Sequence, residues 1–179
     1  VVLSGEGLSE AVTDADPQKE GLPMKWASAA GSGGEKTAQV LNALVKRIRS
    51  VLSDEPAANG CLLRGFSGAP VIPGIQELYK LTPAAIATYP MYKGLARLVG
   101  MEILDAGKTM EDLFMTLEAH WDAHDFFFMH VKYTDSRGED GDFNAKRDVI
   151  EKVDRLIPRL TDLRPDVLVI TGDHSTPSR

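Results

Sequence analysis

Two apolar runs, each followed at once by acidic residues and joined by one amphipathic stretch, constrain the fold of this chain more than any other feature. The first is Asp125-Phe126-Phe127-Phe128-Met129-His130-Val131, and the second is Val167-Leu168-Val169-Ile170 with Asp166 and Thr171 as polar flanks. Both read as buried strands. Between them Val149, Ile150, Val153, Leu156, Ile157 and Leu160 recur at spacings of three and four, which predicts a helix ending near Leu163-Arg164-Pro165. A strand-helix-strand unit takes a parallel connection, so the loops after both strands belong on one edge of the sheet. In open α/β sheets that edge is where ligands bind.

The first loop carries Thr134, Asp135, Glu139, Asp140 and Asp142, and the second carries the adjacent pair Asp173 and His174. Carboxylate oxygen and imidazole nitrogen both ligate divalent metals. Either loop alone reads more simply as a solvated acidic turn or a helix cap. Two on one edge predict a polynuclear metal site.

The remaining sequence alternates helix and strand patterns. Gly5 to Gly34 reads as long loop, and Glu35 to Leu52 as an amphipathic helix with Val40, Leu41, Leu44, Val45, Ile48, Val51 and Leu52 on its apolar face. Short strands are expected at Cys61–Arg64, Ala85–Tyr89 and Met101–Asp105, with a helix over Tyr92–Val99. The Cys61 and Ala85 strands are expected to form a small sheet of their own, covered by the Glu35 helix. Thr109 is a suitable N-cap for a helix that turns Met110, Leu113, Phe114, Leu117 and Trp121 inward. Phe126, Phe127 and Phe128 read as sheet core, His120 and His124 as surface residues, and His130 as a satisfied core histidine.

At 179 residues and 43% hydrophobic content the chain can build a real core. A net charge of −6 argues against a general nucleic-acid surface. The single cysteine, Cys61, excludes an internal disulfide framework and suits a reducing, cytoplasmic setting. No apolar run approaches the roughly 18 residues that span a bilayer. Val1-Val2-Leu3 looks like a strand already under way, so the chain is expected to be a piece of a longer protein.

A family resemblance joins these segments. Gly5-Glu6-Gly7-Leu8-Ser9, Thr13-Asp14-Ala15-Asp16-Pro17, Leu62-Leu63-Arg64-Gly65 and Tyr92-Lys93-Gly94 stand in one order with His130-Val131-Lys132, Thr134-Asp135, Gly141-Asp142-Phe143 and Gly172-Asp173-His174-Ser175-Thr176-Pro177. Together they resemble the archaeal-type, 2,3-bisphosphoglycerate-independent phosphoglycerate mutases of the alkaline phosphatase superfamily, over essentially the whole chain. The resemblance implies an α/β fold with an alkaline-phosphatase-like core and an inserted α/β domain. Residues 1–104 are then the substrate-capping insert, and 105–179 part of the metal-binding core.

It implies an isomerase of glycolysis and gluconeogenesis that exchanges 3- and 2-phosphoglycerate through a phosphoserine and two divalent metals, Mn or Mg with Zn as a further option. No bisphosphoglycerate is expected as cofactor. Asp135 would serve one metal and Asp173 with His174 the other. Lys93 would approach the phosphoryl group, and Arg64 is the second candidate for binding substrate. Glu139 stands where related bacterial enzymes place a histidine, and a carboxylate there suits harder ions. The nucleophilic serine and the remaining ligands are expected outside this chain, which alone would be inactive, and the loop Asp54–Gly60 looks short for the family. The expected partner is phosphoglycerate, with no nucleic acid or membrane, and a homo-oligomer is compatible. The competing readings are another phosphotransferase or phosphohydrolase on the same scaffold, or a non-catalytic metal-binding α/β protein.

Overall fold

The computed structural model describes residues 1–178, which pack as two compact units divided between Pro70 and Val71. The first unit holds a single regular element, α1 (Gly34–Val51). Its buried residues Gly34, Thr37, Ala38, Leu41 and Val45 recur every three or four positions, as one helical face requires. Val12, Ala27, Ala38 and Leu41 form a small core with Leu63 and Phe66 against it.

The expected apolar stripe is longer than this core. Leu44, Ile48, Val51 and Leu52 line an open groove instead, outside the small core. Polar contacts hold the surrounding loops. Asn42 accepts from Ala27 N and donates to Ala27 O, both at 2.9 Å. Buried Thr37 accepts from Ser9 N at 2.8 Å, and Asp14 accepts from Gly65 N at 2.9 Å. At Gly34 an added Cβ would overlap the Ala11 carbonyl oxygen, so helix and loop approach more closely than a side chain permits.

The second unit runs α2 (Ile75–Tyr79), β1 (Pro83–Ala87), α3 (Pro90–Leu98), β2 (Glu102–Leu104), α4 (Met110–Ala119), β3 (Phe126–His130), α5 (Tyr133–Glu139) and α6 (Phe143–Asp162). The sheet is parallel with order β2-β1-β3, Ala85 lying opposite Ile103 on one side and Phe128 on the other. Central β1 is buried at every residue, the continuous apolar pattern of a strand covered on both faces. Phe114, fully buried, packs with Ile86, Leu104, Met110, Leu113, Leu117 and Leu160. Thr109 caps α4 through a capping box with Asp112, whose backbone N–H donates to the Thr109 hydroxyl. Arg159 Nε donates to Glu118 Oε1 at 2.6 Å, tying α6 to α4.

Several expectations need correction. Val1–Leu3 and Cys61–Arg64 form no strand, and the Ala85 strand pairs with β2 and β3 rather than with Cys61. Val167–Ile170 is not a strand either: Val167, Val169 and Ile170 are 77%, 73% and 66% exposed, an apolar run whose backbone has no ladder partner among the described residues. The acidic loop after β3 is partly helical, as α5. Phe126 is exposed, and only Phe127 packs against the main core. His124 is no surface residue: its side chain is 5% exposed and its Nε2 lies 3.1 Å from Glu102. Lys46 Nζ lies 5.6 Å from the ring centroid of Trp26. Residues 104 and 105 both belong to the second unit, where β2 ends and the chain leads on to α4.

Candidate metal and phosphoryl-transfer site

Parallel pairing puts the carboxyl ends of all three strands on one edge, and the chemistry-bearing residues follow from those ends. Tyr89, Tyr92 and Lys93 come after β1, Asp105 after β2, and Lys132, Asp135 and Glu139 after β3. Asp173, His174 and Thr176 arrive at the same place from the segment after α6.

The contacts make one path. Lys132 Nζ donates to Asp135 Oδ2 and lies 3.8 Å from Glu139. Thr176 Oγ1 donates to Asp135 Oδ1 at 2.6 Å and is 3.1 Å from His174 Nδ1. His174 Nε2 is 3.7 Å from Asp173 Oδ2, and the Tyr92 hydroxyl donates to that same oxygen. Gly138 permits the meeting: an added Cβ would overlap the Thr176 carbonyl oxygen, which also accepts from Lys146 Nζ. The two acidic loops therefore come together even though the second expected strand is absent.

Electrostatics keep both aspartates ionised. The Lys132 ammonium, then the Thr176 hydroxyl, hold the Asp135 carboxyl below its ordinary value. Asp173 is lowered first by the Tyr92 hydroxyl, whose own pKa that bond raises. Lys132 is raised by its bond to Asp135. His130 is lowered by burial, and its Nδ1 is buried without a hydrogen-bond partner, so it is not the satisfied core histidine expected. Its ring stacks on Tyr92 with centroids 3.7 Å apart.

The donor set fits a divalent cation by its chemistry. Carboxylates that stay ionised and one imidazole are suitable ligands. The single proton of the Thr176 hydroxyl goes to Asp135, which can only accept. In a neutral imidazole the short approach of His174 Nδ1 then puts the proton on that nitrogen and leaves Nε2 with the lone pair a metal needs. Among the described residues no three His, Cys, Asp or Glu side chains converge tightly enough to form a complete site. Lys132 supplies the positive charge between Asp135 and Glu139.

The two expected substrate-binding residues are each paired with a carboxylate. Lys93 Nζ lies 3.4 Å from Asp105, and it is its neighbour Tyr92 that touches Asp173. Arg64, in the first unit, pairs with Asp16 at 3.1 Å. Tyr92, Lys132 and Thr176 escape sequence reasoning as site residues. Lys132 and Thr176 lie within three positions of Asp135 and His174, and a polar side chain so near a metal-type ligand is the signal that could have found them; Tyr92 adjoins only Lys93.

The family model described as the metalloenzyme superfamily matches residues 36–179. The chain belongs to this superfamily. The model for 2,3-bisphosphoglycerate-independent phosphoglycerate mutase matches residues 1–58. A probable mutase of that description from Thermotoga neapolitana is 58% identical over 99% of the chain and 44% of its own length. One from Thermus thermophilus is 56% identical over 99% of the chain and 45% of its own length. The chain thus spans under half the length of the curated relatives it matches.

Among solved structures, a cofactor-independent phosphoglycerate mutase from Thermoplasma acidophilum aligns with TM-score 0.56 at 30% identity, covering 88% of this chain and 44% of its own. A Pyrococcus horikoshii protein aligns with TM-score 0.69 at 29% identity, covering 82% and 44%. The superfamily and these relatives agree with the mixed α/β architecture and its parallel sheet.

Proposed function

We propose that this chain supplies part of the catalytic apparatus of a cofactor-independent phosphoglycerate mutase, which interconverts 3- and 2-phosphoglycerate through a phosphoserine. The observation that carries the reading is the continuous polar path from Lys132 through Asp135, Thr176, His174 and Asp173 to Tyr92, which joins the two acidic loops. Asp135 with Glu139 would hold one ion, and Asp173 with His174 Nε2 the other. Mn or Mg suits the oxygen-rich ligands, and Zn remains compatible with His174. When bound, such ions supply Lewis acidity toward phosphoryl and hydroxyl oxygens.

The chain's own residues orient and exclude. Thr176 fixes the His174 tautomer, and Lys132 balances Asp135 and Glu139 until an ion replaces it. Lys93, released from Asp105, offers an ammonium to the phosphoryl group, and Arg64 offers a guanidinium to carboxylate or phosphate. Residues up to 104 serve substrate capping and 105–179 metal binding, a division of tasks rather than of strand pairing. The serine nucleophile lies outside these residues, so the chain alone is inactive. The setting is cytoplasmic, with no nucleic-acid or membrane partner; no helix among the described residues is long and apolar enough to cross a membrane.

The deciding experiment uses full-length protein. Turnover of 3-phosphoglycerate with Mn or Mg, without 2,3-bisphosphoglycerate and abolished by chelator, is the expected result. Hydrolysis of a generic phosphate ester without isomerisation would replace the mutase by a phosphohydrolase. Dependence on bisphosphoglycerate would overturn the reading.

A further inference from the structure

Asp173 sits on exposed chain with no strand to hold it. Its Oδ1 accepts from the His174 backbone N–H at 3.0 Å, a contact within its own turn. Among the described residues, the one hydrogen bond its carboxylate takes from a distant part of the chain is the Tyr92 hydroxyl on Oδ2. Tyr92 is itself fixed. It stands in the first turn of α3, directly after the central strand, and its ring stacks on His130 of β3 at 3.7 Å between centroids and 25° between planes. Tyr89 and Phe128 flank it, with centroids 6.2 and 6.3 Å away. An aromatic group at the start of α3, stacked on β3, thus presents one hydroxyl to a carboxylate that little else restrains.

The chemistry of the donor matters. A carboxylate oxygen can accept more than one bond, so a single hydroxyl fixes its rotation and leaves a lone pair for a cation. The hydroxyl carries no charge and leaves the negative charge of Asp173 intact. Lys132, which donates to Asp135, neutralises the charge it contacts.

We propose that Tyr92 is a positioning residue for metal binding: its ring, stacked on His130, holds its hydroxyl where it orients the Asp173 carboxylate toward an ion. This rests on the reading of Asp173 as a metal ligand. Outer partners of ligating groups typically change metal affinity by about 10–100-fold when removed. Tyr92→Phe keeps the stack and deletes only the oxygen.

The test titrates Mn2+ alone into full-length protein by calorimetry, comparing wild type, Tyr92→Phe and Asp173→Asn. Tyr92→Phe should weaken Mn2+ by about ten-fold or more with an unchanged denaturation midpoint, and Asp173→Asn should weaken it further. A Tyr92→Phe affinity within about two-fold of wild type overturns the proposal. Equal binding by wild type and Asp173→Asn would instead remove Asp173 from metal binding, and the metal role of Tyr92 with it. Amide hydrogen exchange on the metal-free proteins separates the two failures. Faster exchange at residues 172–176 in Tyr92→Phe shows that the contact orders the loop; unchanged exchange shows that it does not.

Discussion

The two units of this chain are held together by different means. Residues 1–70 have one helix and a small core of Val12, Ala27, Ala38 and Leu41, and their loops are pinned by side chains that bond to backbone: Asn42 to both groups of Ala27, Thr37 to Ser9, Asp14 to Gly65. From residue 71 onward a parallel sheet and its helices bury Phe114, Ile86 and Leu113 almost completely, and hydrogen bonds run mostly along regular elements. Apolar burial is non-directional and tolerates exchange among similar volumes. A loop pinned by particular amide and hydroxyl groups loses its geometry when one group is changed, because the backbone partners are left unpaired. The first unit is therefore sensitive to polar substitution and the second to loss of volume.

The contrast can be broken most forcefully at Phe114. Phe114→Ala should cost the second unit about 3–5 kcal/mol, read as a lower denaturant midpoint, while amide protection in residues 1–70 stays unchanged. A loss spread equally over both units would show that they fold as one. Asn42→Ala comes next, with an expected cost of about 1–3 kcal/mol confined to the first unit, since it orphans both Ala27 backbone groups. Hydrogen exchange at residues 11–30 checks it; unaltered protection there would mean that the small apolar core suffices.

The smallest effect concerns a polar device inside the apolar unit. Thr109→Ala should cost about 1 kcal/mol by removing the α4 cap. Asp112 is its titrating member: bonds from the Thr109 backbone and hydroxyl hold its carboxyl below the ordinary aspartate value. A depressed carboxyl contributes stability that is present above the unfolded value and disappears as pH falls through the folded one. Acid titration of the unfolding midpoint should then show a loss below the ordinary aspartate range that Asp112→Asn lacks. Identical acid slopes in the two proteins would assign that loss to other carboxylates.

Legibility followed the same division. Thr109 and the inward positions of α4 could be read from spacing, because caps and helical faces are local. The strands at 83–87, 102–104 and 126–130 were also visible, although their partners were not, since pairing is decided by tertiary packing. Val167–Ile170 has every local mark of a strand and forms none, because a strand exists only with a neighbour to bond. At the site, Asp135, Asp173 and His174 announce themselves by residue type. Tyr92 and Thr176 matter through contacts to Asp173 and Asp135 across 81 and 41 positions, whereas the Lys132–Asp135 and Thr176–His174 contacts span 3 and 2 positions, close enough for inspection to reveal. His124 reads as a surface residue because its neighbour Glu102 comes from another element.

Gly138 offers no functional group, yet the meeting of the two acidic loops depends on its missing side chain. A library in which every position is replaced in turn and sorted for turnover would therefore rank this glycine beside Asp135 and Asp173. Intolerance alone would mark it as chemistry. Its signature would be graded by size, alanine failing less than valine, whereas a true ligand is graded by charge and donor type. Sorting intolerant positions by those two gradients would divide the residues that act from the one that makes room for them.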